Sequence, residues 1–228
     1  LLVAVACTVA ATAQVAFGGS QASDRQMEYS QKFADVDYVG DGQGYHTLDI
    51  YLPKVKKDTY PVVIHIYGSA WFNNNGKGAA DLNTICAALL DAGYAVVTPN
   101  HRASTDALYP AQIHDIKAVI RFVRGEAKKY GFDTSFVGIS GFSSGGHLAS
   151  LAATTNGLKT YTLGDDTVDL EGSLGKYTSE SSLVNAACDW SGPVDLQNMD
   201  CGEAMKMPKS PEELMIGVPM QGNENKYA

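Results

Sequence analysis

Residues 141–145 read Gly-Phe-Ser-Ser-Gly, between a β-branched run, SFVGISGF (135–142), and a stretch of small residues, SSGGHLASLAATT (143–155). A serine between two glycines at this spacing, on a turn from strand into helix, is held in strained backbone with its hydroxyl pushed clear of the sheet. The chemistry open to such a hydroxyl is attack on a carbonyl carbon, with a covalent acyl intermediate. The glycines answer a steric need, because strand and helix backbones pass very close at the turn. Gly141 and Gly145 meet it, and Gly146 and Ala149 extend it. Ser143 is the expected nucleophile. Ser144 fails the pattern because Phe142 stands where its leading glycine belongs, and Ser140 fails because Phe142 stands where a trailing glycine belongs.

Attack on a carbonyl creates negative charge on its oxygen, and backbone N–H groups are the usual means of holding it. The amide of Ser144, at the helix start, is one expected donor, and the helix dipole adds to it. The second comes from the run Ile66-Tyr67-Gly68-Ser69-Ala70-Trp71 that follows another β-branched strand. Gly68, Ser69 and Ala70 are small enough for a carbonyl to approach the backbone. The amide of Ser69, and after it that of Ala70, are the expected donors.

These residues need a scaffold, and the chain spells one out. HTLDIYLP (46–53) alternates as a half-exposed strand, while PVVIHIYG (61–68) and YAVVTPN (94–100) read as buried strands. Helical spacing marks 80–92. It also marks 109–131, with Pro110 at the start and Gly131 at the end. LVNAACDWSG (183–192) is a further strand, and the polar Gly/Ser/Thr-rich stretch 157–182 reads as a surface excursion. Strands alternating with helices imply a mostly parallel twisted sheet, helices on both faces. Of 228 residues, 45% are hydrophobic and 18% charged, which suits one buried core spanning residues 23–228. The net charge of −8, with no basic cluster, argues against a nucleic-acid partner. Residues 1–22 form an apolar leader in which Ala11-Thr12-Ala13 resembles a secretory cleavage site. Cys7 raises the alternative of a lipid anchor, and either way the expected location is outside the cytoplasm. Cys188 and Cys201 are the pair that an oxidising compartment would permit to bridge. No spacing of His and Cys suggests a metal site, and the acyl chemistry needs no cofactor.

IYGSAW, YPAQIHDIKAVIRFVRGEAKKYGFD, GFSSGGHLA and DWSGPVDL together resemble secreted bacterial α/β-hydrolases related to bifunctional acetylxylan and feruloyl esterases, within the hormone-sensitive-lipase-like group. The resemblance runs from about residue 35 to the end. It implies an α/β-hydrolase fold and a serine carboxylesterase acting on small esters, acetyl or feruloyl groups on plant polysaccharide among them. Three positions depart from the group's pattern: Tyr67 stands for a histidine, and Ser69 and Ala70 stand for glycines.

A serine nucleophile needs a base and an acid to orient it, and in this fold the chain order is Ser, acid, His. None of the five histidines lies far downstream of Ser143. His147 is one turn along the nucleophile helix, His65 sits within a buried strand, His101 precedes the serine, and His46 and His114 read as surface residues. Asp195 is either the acid or a helix cap. The expectation is therefore that the last two strands of the fold, with the catalytic His and acid, lie outside these 228 residues, which alone would be inactive. The strand at 184–189 would then be an open edge. Two other functions share the observations: a peptidase or amidase of the same fold, and a binding protein that kept the scaffold without the chemistry.

Overall fold

Dense β-branched runs form the middle of a six-stranded sheet. The computed structural model describes residues 26–199 and 206–227; the leader, Cys7, the 11–13 site and Cys201 lie outside them. The strands are β1 (Gln31–Asp37), β2 (Thr47–Leu52), β3 (Tyr60–Ile66), β4 (Ala95–Pro99), β5 (Phe132–Phe142) and β8 (Ala186–Trp190), with β6 (Thr160–Leu163) and β7 (Asp166–Asp169) in a separate hairpin. The order across the sheet is β1-β2-β4-β3-β5-β8. From β4 to β8 every pairing is parallel, while β1 and β2 are antiparallel to their neighbours.

Alternation along the strands builds two cores. Ile50, Ile64, Val97 and Ile139 face α2 (Ala111–Gly125) and α4 (Ser144–Thr154). Tyr51 and Val96 face the other way and meet Cys86 and Leu90 at α1 (Ala87–Asp91). Helices thus cover both faces of the mostly parallel sheet. The register sets Ile66 at the end of β3 beside Gly141 near the end of β5, so the loop after β3 and the turn after β5 emerge side by side.

Three elements differ from expectation. The helix expected over 80–92 opens with a π turn at Leu82–Cys86 before α1. The helix expected over 109–131 is two, α2 and α3 (Ala127–Tyr130). The break falls where the Tyr177 ring presses on Gly125, leaving a Cβ there only 2.2 Å of clearance. Tyr177 belongs to the excursion 157–182, which carries the β6–β7 hairpin and is pinned to α2 by buried cations. Arg121 pairs with Glu171 and donates to the Leu174 carbonyl at 3.1 Å, and Lys117 lies 3.3 Å from Glu171.

The outer strand β8 pairs with β5 alone, and among the described residues nothing pairs with its other side. Ala186, Ala187, Cys188 and Trp190 are exposed. No helix among the described residues is long and apolar enough to cross a membrane.

Candidate active site

Parallel β5 delivers Ser143 to the carboxyl end of the sheet, and α4 carries the chain away from it. At the junction Ser143 has φ 54° and ψ −123°, a conformation that residues with a Cβ rarely adopt. What forces the turn is crowding. A Cβ on Gly141 would lie 2.1 Å from the Gly145 carbonyl oxygen, and one on Gly145 would lie 2.3 Å from that of Ile66. The steric reading of the glycines holds in both cases. The Ser143 amide donates to the Trp190 carbonyl at 2.9 Å, tying the turn to β8. Its hydroxyl is half-buried and hydrogen-bonds nothing among the described residues.

The loop after β3 lies directly against this serine. A Cβ on Gly68 would come within 2.9 Å of Ser143 Cβ and 2.7 Å of the Phe142 carbonyl oxygen. Within the loop, the expected part for Ser69 requires correction. Its N–H is donated to the buried Ser144 hydroxyl at 2.8 Å instead of standing open to a substrate. The reason is the side chain chosen at 144: a residue with no acceptor there would leave the amide free. The amides of Ala70 and Ser144 find no acceptor among the described residues; Ser144 follows Ser143 in the chain, and Ala70 follows the Gly68-Ser69 segment that lies against the elbow. The first-turn amides of α4 add the positive end of an 11-residue helix.

Tyr67, where the resembling group has histidine, is buried and stacks on His101 with ring centroids 4.9 Å apart. Its hydroxyl donates to the Asn73 carbonyl at 2.7 Å, strapping the two ends of the loop together. Trp71 is buried next to it and meets the His147 ring edge-on at 5.2 Å.

No histidine reaches Ser143. His147 is buried beneath the loop, its Nδ1 without a partner, and burial lowers its pKa to about 4. His65 lies between Ser140 Oγ (3.2 Å) and Asp81 Oδ2 (3.1 Å), a satisfied core residue as expected. Ser140 also accepts from the Trp190 indole at 3.1 Å, which removes it from contention as a nucleophile. His101 is fully buried, donating from Nδ1 to the Arg102 carbonyl at 2.9 Å. His114, half-buried, donates to the Asp169 carbonyl at 2.8 Å. His46 contradicts the surface expectation: it is buried between Asp41 (2.7 Å) and Asp115 (3.4 Å). That burial arises from a partner 69 positions along the chain, which local sequence does not reveal. Asp195 is exposed and accepts from the amide (3.3 Å) and side chain (2.7 Å) of Asn198, capping a turn rather than a helix.

Asp189 escaped the sequence reading. Its carboxylate accepts from the Gly192 amide at 2.6 Å and the Ser150 hydroxyl at 2.7 Å, bracing the end of β8 against α4. The signal available was its place just before Trp190-Ser191-Gly192, a strand end turning sharply. Cys188 is exposed and has no disulfide partner among the described residues, which do not include Cys201. A cavity of about 450 Å³ lies on the outer side of α4, lined by Tyr109, His147, Leu151, Tyr161, Met215 and Tyr227. Neither Ser143 nor the loop at 68–70 lines it. Among the described residues no three His, Cys, Asp or Glu are grouped to hold a metal ion.

A serine on a strained strand-to-helix turn of a mostly parallel sheet, with an amide-bearing loop pressed against it, defines the α/β-hydrolase class. Within that class the chain belongs to the BD-FAE family, whose model matches residues 48–228. It is 30% identical over 196 residues to the probable carboxylic ester hydrolase LipM of Mycobacterium tuberculosis, covering 85% of this chain and 42% of LipM. It is 31% identical to the esterase LipQ of the same organism, covering 79% of this chain and 40% of LipQ. The chain thus spans well under half the length of these curated relatives. Among solved structures, a bifunctional GH43-CE protein of Bacteroides eggerthii shares 53% identity with a TM-score of 0.79, covering 85% of this chain and 25% of that one. A truncated carbohydrate esterase from gut microbiota shares 48% identity with a TM-score of 0.81, covering 89% of this chain and 72% of that one.

Proposed function

We propose that the protein is a serine carboxylesterase in which Ser143 attacks an ester carbonyl and water later releases the acyl group. The observation that carries this is the Ser143 hydroxyl: without a hydrogen-bond partner among the described residues, on a strained turn, with the Gly68 backbone against its Cβ. Backbone strain of this kind persists only where the surroundings impose it, and it concentrates at functional sites. The named esterases among the relatives support ester hydrolysis as the reaction class. We place acetyl and feruloyl esters of plant polysaccharide as the substrate class; the similarity to a carbohydrate esterase from gut microbiota and to a bifunctional GH43-CE protein supports it. The general base and its acid are, on this reading, outside the 228 residues, since each of the five histidines is committed away from Ser143. The apolar leader supports a location outside the cytoplasm.

A binding protein without chemistry would also lack a base at Ser143. An unpaired elbow hydroxyl beside open amides favours the enzyme, because a binder has no use for the strain. Two experiments test the reading. An open frame beyond codon 228 supplying an Asp and then a His is expected; a stop codon at 229 supports the binder. On the full-length product, fluorophosphonate labelling should vanish in Ser143→Ala, with turnover of p-nitrophenyl acetate, methyl ferulate and acetylated xylan compared in parallel. Labelling that survives the substitution refutes the assignment.

A further inference from the structure

The loop after β3 holds backbone that its residue types disfavour. Ala70 (φ 49°) and Trp71 (φ 60°) are consecutive residues in the left-handed region, where any Cβ is crowded. Such a loop keeps one shape only if its neighbours impose it. Away from the nucleophile the anchors are plain. The Ser104 amide donates to the Trp71 carbonyl at 2.8 Å, the Phe72 amide to the Ser69 carbonyl at 2.9 Å, and Tyr67 Oη to the Asn73 carbonyl at 2.7 Å. Toward the nucleophile helix, one hydrogen bond joins loop and helix among the described residues: Ser69 N–H to Ser144 Oγ, at 2.8 Å.

Resting on the serine-hydrolase reading above, we propose that the Ser144 hydroxyl is a positioning residue of the oxyanion hole. It accepts a hydrogen bond from the Ser69 N–H, fixes the loop to the elbow, and leaves the Ala70 and Ser144 amides as the two donors for the substrate oxygen. Ser144 is 1% exposed, so its hydroxyl has no water to fall back on and the Ser69 amide is its partner in place. The bond bridges two backbones that already touch: Gly68 presses on Ser143, and Gly145 presses on the carbonyls of Ile66 and Tyr67. Releasing it lets the strained segment at 70–71 relax, and the Ala70 amide moves with it. Small displacements of donors from the reacting atom cost large factors in rate. The same side chain that removes Ser69 from the donor set thereby sets the geometry of the donors that remain.

The test pairs Ser144→Ala, which deletes the acceptor, with Ser144→Thr, which restores a hydroxyl. The first readout needs no activity: amide hydrogen exchange at Ser69 should quicken about tenfold or more in the alanine variant and recover in the threonine variant. The second is turnover of p-nitrophenyl acetate by the full-length product, where kcat should fall about tenfold in Ser144→Ala with KM within about twofold, and recover in Ser144→Thr. Unchanged Ser69 exchange in Ser144→Ala overturns the proposal, and so does faster exchange with an unchanged kcat. Wild-type protein that turns over no ester overturns the serine-hydrolase reading instead, while Ser69 exchange still decides whether the clamp exists. Should Ser144→Ala not fold, Ser144→Cys, similar in size and a weak acceptor, takes its place with the same expectations.

Discussion

Gly145 illustrates how much of this site is decided by single atoms. A methyl added there meets the Ile66 and Tyr67 carbonyl oxygens at 2.3 and 2.5 Å, and both belong to backbone that cannot swing aside. Gly145→Ala should therefore cost roughly 3 kcal/mol in a urea melt. Gly78→Ala, where nothing lies within 4 Å, should be close to neutral. Equal midpoints for the two would show that the elbow has slack the structure denies it. Such constraints are legible in the sequence because they act between near neighbours: Gly141, Ser143 and Gly145 announce their own crowding. The pairing of the Ser69 amide is hidden for the opposite reason. Its fate depends on a hydroxyl 75 positions away, and no local pattern encodes a pairing of that span.

Elements place the titrating groups, and two histidines respond to pH in opposite senses. On α4, burial depresses His147 to about 4 from an ordinary 6.5. The unfolded chain takes up its proton first, so the neutral form stabilises the fold above pH 6.5. That contribution, on the order of 3 kcal/mol, is lost as pH falls from 6.5 to 4. His147→Phe should remove this part of the acid dependence. Parallel acid limbs for variant and wild type would contradict the burial. His46, ahead of β2, is pulled down by burial, but its bonds to Asp115 and Asp41 outweigh that and raise its pKa. Its contribution is fully present below about 6.5 and fades as pH rises through the elevated folded value. Proton NMR should show the His46 ring titrating above 6.5 and the His147 ring near 4. At this scale the sequence was legible wherever periodicity was strong, as in β3, β4 and α2. It was illegible in β1, whose residues are mostly exposed, and in the β6–β7 hairpin, whose short polar strands resemble loop.

Across the described residues, the two cysteines differ in how deeply they are packed. Cys86, buried with its thiol pushed up to about 12, and Cys188, exposed on β8, should separate cleanly under native alkylation with mass mapping. Cys188 is expected to modify quickly and Cys86 only on unfolding; early modification of Cys86 would show that α1 opens readily. That β8 pairs on one side only among the described residues was foreseeable by counting strands. The buried cations that pin the excursion to α2 were not, because Lys117 and Arg121 look like ordinary polar positions on a helix.

The mutual pressure of Gly68, Gly141 and Gly145 also bears on how such a protein diversifies. Where three main chains leave no room for a methyl, mutation has nothing to work with, and the turn around Ser143 is frozen. On the proposed reading, any drift toward a new ester must then come from partly exposed side chains at the rim, such as Phe142 and Trp190, although the Trp190 indole is itself hydrogen-bonded to Ser140.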